Sequence, residues 1–127
     1  MSGKYLLDTN VLINAINRKL KIPRQDYGIS VITEMELLSF PKLTEPEVAD
    51  IQRLLSNFPI HYITPQIKSL TIDLRRRTSV KLPDCIICAT AIQDKRVLVT
   101  DDRQLTQIRD VEVITLDQLL SGHNASE

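Results

Sequence analysis

The stretch Lys4-Tyr5-Leu6-Leu7-Asp8-Thr9-Asn10-Val11-Leu12 decides the fold, because it joins a short apolar run to a helical repeat through a single acid. The four residues before Asp8 are typical of a buried strand. After Asn10, apolar residues recur at helical spacing, whereas Asn14 and Asn17 fall on the other face. A strand that passes directly into a helix is typical of an α/β domain, and it leaves Asp8 at the carboxyl end of the strand.

The alternation of strand-like and helical segments continues along the chain. Further strand-like runs cover residues 27–31, 60–64, 97–100 and 111–114. The helical pattern between the first two opens at Thr33 and ends near Pro41. Leu82-Pro83-Asp84 restarts the chain into a helix that is apolar nearly all round and is therefore expected to be buried. The sequence predicts one α/β domain at residues 1–120, with a mainly parallel central sheet flanked by helices on both faces, and a flexible tail at residues 121–127.

Composition and charge indicate a cytoplasmic globular protein. The 127 residues are 43% hydrophobic and 25% charged, an ordinary globular balance. Sixteen Lys and Arg against sixteen Asp and Glu give formal neutrality, so a nucleic-acid partner would be bound by local patches and metal ions. No apolar run approaches the roughly 20 residues that cross a membrane, and Asp8 interrupts the first run too early for a signal peptide. Cys85 and Cys88 form a C-x-x-C within an apolar run, where thiols behave as small hydrophobic groups.

Acidic residues stand at the edges of the predicted core. Asp8 ends the first strand, and the pair Asp101-Asp102 follows the fourth. Glu36 lies in the first turns of the helix after the second strand, and Asp84 opens the most apolar helix. Each acid also has a simpler explanation as a helix cap, including a capping box between Thr33 and Glu36.

These positions together indicate a metal site. In an open α/β sheet the carboxyl ends of the strands meet at one edge, where ligands bind. Acids that converge there repel one another unless a cation lies among them. A hard divalent cation takes oxygen ligands and supports phosphodiester hydrolysis without an obligatory His, Ser or Cys. The chain carries no Walker A or dinucleotide-binding glycine motif, so nucleotide-binding loops are excluded.

Four segments resemble the motifs of PIN domains. They are LLDTNVLI at residues 6–13, ISVITEMELL at 29–38, LPDCIICATA at 82–91 and LVTDDR at 98–103. The acid of the second motif matches Glu36 rather than Glu34. The order and spacing of the motifs extend from residue 4 to about residue 116, which is nearly the whole chain.

This resemblance implies an endoribonuclease that uses one or two Mg²⁺ or Mn²⁺ ions and leaves a 5′-phosphate and a 3′-hydroxyl. Asp8 and Asp84 would be the main metal ligands. Glu36 and Asp102 would complete the acidic cluster, partly through water. Asp101 stands where the family often has a neutral polar residue, so which of the two adjacent aspartates faces the metal stays open. The residues expected to orient ligands or waters are Thr9, Asn10 and Thr100.

The compact length is most similar to VapC-type toxins of bacterial toxin–antitoxin pairs. That likeness implies a homodimer, and inhibition by a partner antitoxin whose peptide covers the acidic site, often with an Arg against the carboxylates. RNA phosphates would be contacted by basic residues at the rim of the site, namely Arg75, Arg76, Arg77 and Lys81. A solvated basic helix end is the alternative explanation of the same residues.

Other acid-bearing α/β classes fit these residues less well. A phosphatase of the haloacid-dehalogenase type expects a second Asp two residues after the first, where this chain has Asn10. A receiver domain expects its acidic pair near the start of the chain, whereas Asp101-Asp102 comes late. Two alternatives to the toxin stay open, a housekeeping RNA-processing PIN nuclease and a non-catalytic binding module of the same fold.

Overall fold

The structure, a computed structural model, describes residues 3–122, and residues 123–127 of the predicted tail lie outside this part of the chain. The described strands are β1 (Lys4–Leu7), β2 (Asp26–Ser30), β3 (Ile60–His61), β4 (Val97–Val99) and β5 (Val113–Ile114). The described helices are α1 (Thr9–Asn17), α2 (Val31–Leu38), α3 (Glu45–Leu55), α4 (Pro65–Arg77), α5 (Leu82–Gln93) and α6 (Leu116–Leu120), with a 3₁₀ turn at Arg103–Gln107.

The strands form one parallel sheet in the order β3-β2-β1-β4-β5. In the central strand β1, Leu6 lies opposite Gly28 of β2 and Leu98 of β4. The chain builds outward from β1 to β2 and β3 on one side, and later to β4 and β5 on the other. The order therefore reverses at β1, and ligands of parallel α/β sheets bind at the carboxyl end of such a position.

Alternate residues of β1 face two separate hydrophobic cores. Tyr5 and Leu7 pack with apolar side chains of α1, α2, α3 and α6. Leu6 packs on the opposite side with apolar side chains of α4 and α5. Helices thus cover both faces of the sheet, and the predicted α/β class with a parallel central sheet is confirmed.

The predicted start of α2 was wrong. The helix begins at Val31, and its N-cap is Ser30, whose hydroxyl accepts a hydrogen bond from the Ile32 backbone N–H at 3.1 Å. Because the cap comes three residues before Thr33, that residue lies inside the helix. The predicted capping box between Thr33 and Glu36 does not form, and both side chains are free to make tertiary contacts.

Three predicted strands are shorter in the structure, and the one expected at 97–100 ends at Val99. The strand expected at 60–64 reduces to Ile60–His61, because Thr64 already caps α4 through its hydroxyl. The strand expected at 111–114 begins at Val113, since the Val111 N–H turns back to the Ile108 carbonyl. Ser121 is the C-cap of α6. Within residues 3–122, no helix is long and apolar enough to cross a membrane.

Candidate functional site

Asp8 lies where β1 passes into α1, and only 3% of its surface is exposed. One carboxylate oxygen accepts the Thr9 backbone N–H at 2.8 Å, which makes Asp8 the N-cap of α1. The other oxygen accepts the Thr100 hydroxyl at 2.7 Å and the Asn10 side-chain amide at 3.0 Å. Both oxygens are hydrogen-bonded to fixed groups, so the buried carboxylate has one orientation.

Asn10 and Thr100 also hold the end of β4 against the start of α1. The Asn10 amide donates to the Thr100 hydroxyl at 3.2 Å, and its carbonyl oxygen accepts the Asp101 backbone N–H at 3.2 Å. The Thr100 hydroxyl further accepts the Asp102 N–H at 3.1 Å. Residues distant in sequence therefore form one hydrogen-bonded unit around Asp8, which includes Asn10 and Thr100.

The two adjacent aspartates serve different parts of the molecule. The carboxylate of Asp101 accepts the Asn14 amide on one oxygen and the Leu116 backbone N–H on the other, both at 3.1 Å, and so joins α1 to α6. The charge of Asp102 acts instead on the carboxylate of Asp8. The structure therefore brings Asp102 into the acidic cluster, whereas the carboxylate of Asp101 is turned toward the helices.

Glu36 reaches the cluster from α2 through Thr9. The Thr9 hydroxyl lies 2.8 Å from Glu36 Oε1 and 3.1 Å from the hydroxyl of Thr33. The sequence pattern indicated only that Thr33 could cap the start of α2. Its placement three residues before Glu36, on the same helical face, was the available signal for a shared site.

Asp84 lies half-buried in the first turn of α5. That helix starts without a side-chain cap, so Asp84 does not cap it, although its place in the first turn suits the helix dipole. Burial, followed by the negative charges of the acids Asp8, Asp102 and Glu36, raises the pKa of Asp84 to about 6, and the charge of Lys81 partly opposes them. Burial and the neighbouring acids likewise raise the pKa of Asp8, against its hydrogen bonds. The four acids thus share one electrostatic site.

The donor set at this site fits a hard divalent cation. Among residues 3–122, no three His, Cys, Asp or Glu side chains lie close enough to enclose an ion by themselves. Mg²⁺ does not require such a cage, because it keeps several waters and uses one or two carboxylates directly. The oriented Asp8 carboxylate provides one oxygen donor. The Asp84 carboxylate, which is surrounded by other negative charges, provides another, and a bound cation would stabilise both ionised groups.

Comparison with known proteins identifies the fold. Residues 5–111 match the family model described as the PIN domain. The chain belongs to the PIN domain family. The matched segment contains Asp8, Glu36, Asp84 and Asp102. No curated protein matches the chain in sequence at a significant level.

Solved structures similar to this PIN domain include a toxin–antitoxin complex from Klebsiella pneumoniae, with 28% identity and a TM-score of 0.73, covering 89% of this chain and 98% of the matched chain. A DNA-bound VapBC complex from Salmonella typhimurium has 24% identity and a TM-score of 0.80 over the same shares of the two chains. A Pyrobaculum aerophilum protein has 21% identity and a TM-score of 0.70, covering 95% of each chain. The last two likenesses support the fold alone.

The basic residues predicted at the rim of the PIN domain site differ in their contacts. The charge of Lys81 acts on Asp84, and that of Arg75 on the neighbouring Cys85. Arg77 instead forms ion pairs with Asp73 at 2.9 Å and Asp110 at 3.6 Å. Arg76 is an exposed residue of α4. Lys81 therefore acts on an acid of the site, and Arg75 acts on the residue that follows Asp84.

The two cysteines belong to the hydrophobic core between the sheet and the helices α4 and α5. Both are buried and free, as the sequence predicted. Burial raises the pKa of Cys88 to about 12, with a further contribution from Asp8, so its thiol stays protonated near neutral pH. His61 lies 2.6 Å from Asp94, which follows α5 at its far end from Asp84. Among residues 3–122, the cluster is therefore formed by the four acids and does not include His61.

Proposed function

We propose that this PIN domain is a Mg²⁺- or Mn²⁺-dependent endoribonuclease that hydrolyses RNA phosphodiester bonds and leaves a 5′-phosphate and a 3′-hydroxyl. One observation carries the proposal: at the carboxyl edge of the sheet the charges of Glu36 and Asp102 act on the buried Asp8, and the charges of all three act on Asp84. Such a cluster is costly to stability without a cation. Its retention on a PIN fold supports metal-assisted hydrolysis.

The acids divide into direct and indirect metal ligands. Asp8 and Asp84 would hold one or two ions, and Glu36 and Asp102 would act partly through bound water. When bound, such ions stabilise the charge that develops on the phosphate and activate water for attack. Asp8 is fixed by the Thr100 hydroxyl and so orients its side of the site. Asp84, protonated more readily than an ordinary carboxyl, would release its proton as a cation binds.

The RNA backbone would be bound beside these acids. Lys81 and Arg75 are exposed, and their positive charges act within the first turn of α5. Cations at that location can neutralise phosphates next to the scissile bond, which positions RNA without selecting its sequence. Arg77 is the weakest member of the predicted set, because Asp73 and Asp110 already neutralise it.

We further propose that the protein is the toxin of a toxin–antitoxin pair, acts in the cytoplasm and forms a homodimer. The similarity to the toxin–antitoxin complex from Klebsiella pneumoniae supports the pairing. An open, mostly apolar groove between α1, α2 and α3 is a suitable binding site for an antitoxin segment. Its apolar lining consists of Ile13, Ile16, Leu37, Phe40, Leu43 and Ile51. If the protein had a housekeeping RNA-processing role instead, no antitoxin segment would bind this groove.

Cleavage of a mixed cellular RNA pool by the purified protein tests the proposal. Reactions would contain Mg²⁺, Mn²⁺ or EDTA, and the product ends would be sequenced. We expect metal-dependent cuts with 5′-phosphate ends in the wild type and in Asp50→Asn, an exposed α3 variant, and none in Asp8→Asn. The absence of cleavage with either metal, by protein free of any co-purified inhibitor, would favour the non-catalytic binding module.

A further inference from the structure

A pair of hydroxyl groups links the interior of α2 to Glu36. Thr33 is completely buried, with 0% of its surface exposed. Its hydroxyl lies 3.1 Å from the Thr9 hydroxyl, which in turn lies 2.8 Å from Glu36 Oε1. The contact crosses from α2 to α1 and back, so the position of one acid of the cluster depends on both helices.

The direction of the two hydrogen bonds follows from the proton count. An ionised carboxylate can only accept, and a hydroxyl carries one proton. Thr9 must therefore donate to Glu36. Its contact with Thr33 is satisfied only when the Thr33 hydroxyl donates to the Thr9 oxygen. The resulting order is Thr33 to Thr9 to Glu36, a directional relay of two bonds.

Other buried helical threonines behave differently. The hydroxyls of Thr71 and Thr90 donate at 2.7 Å to the carbonyl four residues earlier in their own helices, Ile67 and Ile86. This is the usual local bond of a helical threonine. Thr33 instead contacts a residue 24 positions away, which indicates a tertiary role for its hydroxyl.

We propose that Thr33 is a positioning residue that orients Glu36 through Thr9. The inference rests on the proposed function in assigning Glu36 to the acidic site. Glu36 is exposed and carries a flexible side chain, so its carboxylate needs an external anchor to stay directed at the cluster. Thr9 provides that anchor, and Thr33 fixes the rotation of the Thr9 hydroxyl. Removal of such outer contacts typically lowers metal affinity or activity about 10- to 100-fold.

Four single variants of the full chain test the relay. Thr33→Val keeps the shape and removes the donor, and Thr33→Ser restores it. Thr9→Val breaks the relay at its middle and covers the case in which Thr33→Val fails to fold. Thr71→Val is the matched control for a buried helical threonine. The Mn²⁺ concentration at half-maximal RNA cleavage, the KM for RNA and the Glu36 side-chain carboxyl ¹³C resonance, assigned by its loss in Glu36→Gln, are the readouts.

We expect Thr33→Val to need roughly tenfold more Mn²⁺, with an unchanged KM for RNA and a shifted Glu36 resonance. Thr33→Ser and Thr71→Val should match the wild type. Because the two bonds act in series, Thr33→Val combined with Thr9→Val should be no worse than Thr9→Val alone.

Two results would overturn the relay. One is an unmoved Glu36 resonance in Thr33→Val, or in Thr9→Val if the former does not fold, and the other is an equal defect in Thr33→Ser. A wild type that neither cleaves RNA nor responds to Mn²⁺ would refute the proposed function instead. In that case the resonance, measured without metal, still decides whether Thr33 orients Glu36.

Discussion

The hydroxyl of Thr100 donates a 2.7 Å hydrogen bond to the carboxylate of Asp8, although 92 residues separate them in sequence. This bond joins the ends of the neighbouring strands β1 and β4. Thr100 is 2% exposed and Asp8 is 3% exposed, so water cannot easily replace it. The orientation of the Asp8 carboxylate in the acidic cluster therefore depends on a threonine hydroxyl.

We expect Thr100→Val to lower the RNA cleavage rate roughly 10- to 100-fold, because Asp8 loses its shortest hydrogen bond. The variant also leaves buried polar groups of Asp8 and Asn10 less satisfied, which should lower the free energy of unfolding by about 1–3 kcal/mol. Initial rates at saturating Mg²⁺ and urea unfolding measure the two effects. Thr100→Ser keeps the hydroxyl and should recover most of the rate, and equal losses in both variants would contradict this role.

Asp84→Asn should stabilise the metal-free protein at pH 7. The pKa of Asp84 is raised to about 6 from an ordinary 3.8. The folded state therefore binds its proton more tightly than the unfolded chain. That contribution to stability is full below about pH 4 and is lost as the pH rises through about 6. Since the residue is half-exposed, we expect the variant to gain only about 1 kcal/mol at pH 7.

Urea unfolding in EDTA at pH 4.5 and pH 7 measures this difference between variant and wild type. The gain should shrink at the lower pH, where the wild-type Asp84 is also neutral. Asp50→Asn is a suitable control, because its exposed carboxylate pairs with Arg53 on the surface of α3. A gain that is the same at both pH values would rule out the raised pKa of Asp84, caused by burial and then by the neighbouring negative charges, as its source.

Asp101→Asn and Asp102→Asn should have opposite effects. The Asp101 carboxylate accepts from Asn14 and Leu116, and an amide can replace only one of those acceptors, so we expect a loss of about 1 kcal/mol in stability with cleavage retained. Asp102→Asn keeps an N-cap for the 3₁₀ turn and should keep the stability while cleavage falls. Thermal unfolding and cleavage assays distinguish them, and the reverse pattern would assign Asp101 to the cluster.

Lys81→Ala and Arg75→Ala should weaken RNA binding with little effect on the chemical step. Removing one cation that neutralises a phosphate should reduce the slope of log affinity against log salt by about 0.7 for single-stranded RNA. Binding of a catalytically inactive Asp8→Asn background to RNA at several salt concentrations measures the slope. Arg77→Ala is the matched control, because that guanidinium is already paired with Asp73 and Asp110. A slope unchanged by both Lys81→Ala and Arg75→Ala would exclude these two residues from the RNA-binding surface.

Much of the fold followed from the sequence because its local signals agreed. The apolar run before Asp8 forms β1, and the apolar helix that starts at Leu82 forms the buried α5, both as predicted. The strand-end acids could be placed at one edge, since parallel strands share their carboxyl ends. The start of α2 was missed because Ser30 and Thr33 are both good caps, and only the tertiary position of Thr33 distinguishes them.

The finer arrangement of the site depended on contacts between distant segments. Asp101 and Asp102 are equivalent in a strand-end pattern, and their roles separate only once α6 brings the Leu116 N–H to Asp101. The adjacent basic residues Arg75, Arg76 and Arg77 are likewise equivalent in the sequence pattern. Arg77 differs because Asp110, which follows the 3₁₀ turn, forms an ion pair with it. Such pairings have no local signature, so sequence periodicity could not rank these residues.

The metal-dependent cleavage rate of Glu36→Gln compared with Glu34→Gln tests the central claim most directly. The two glutamates lie on one helix, but about 200° apart around its axis. Glu34 lines a surface pocket together with Gln52 and Leu38. Glu36 instead accepts a hydrogen bond from the Thr9 hydroxyl beside the other acids. We predict that Glu36→Gln loses Mg²⁺- and Mn²⁺-dependent RNA cleavage and that Glu34→Gln keeps it, with both proteins folded. Equal rates in the two variants would contradict a single site built from all four acids.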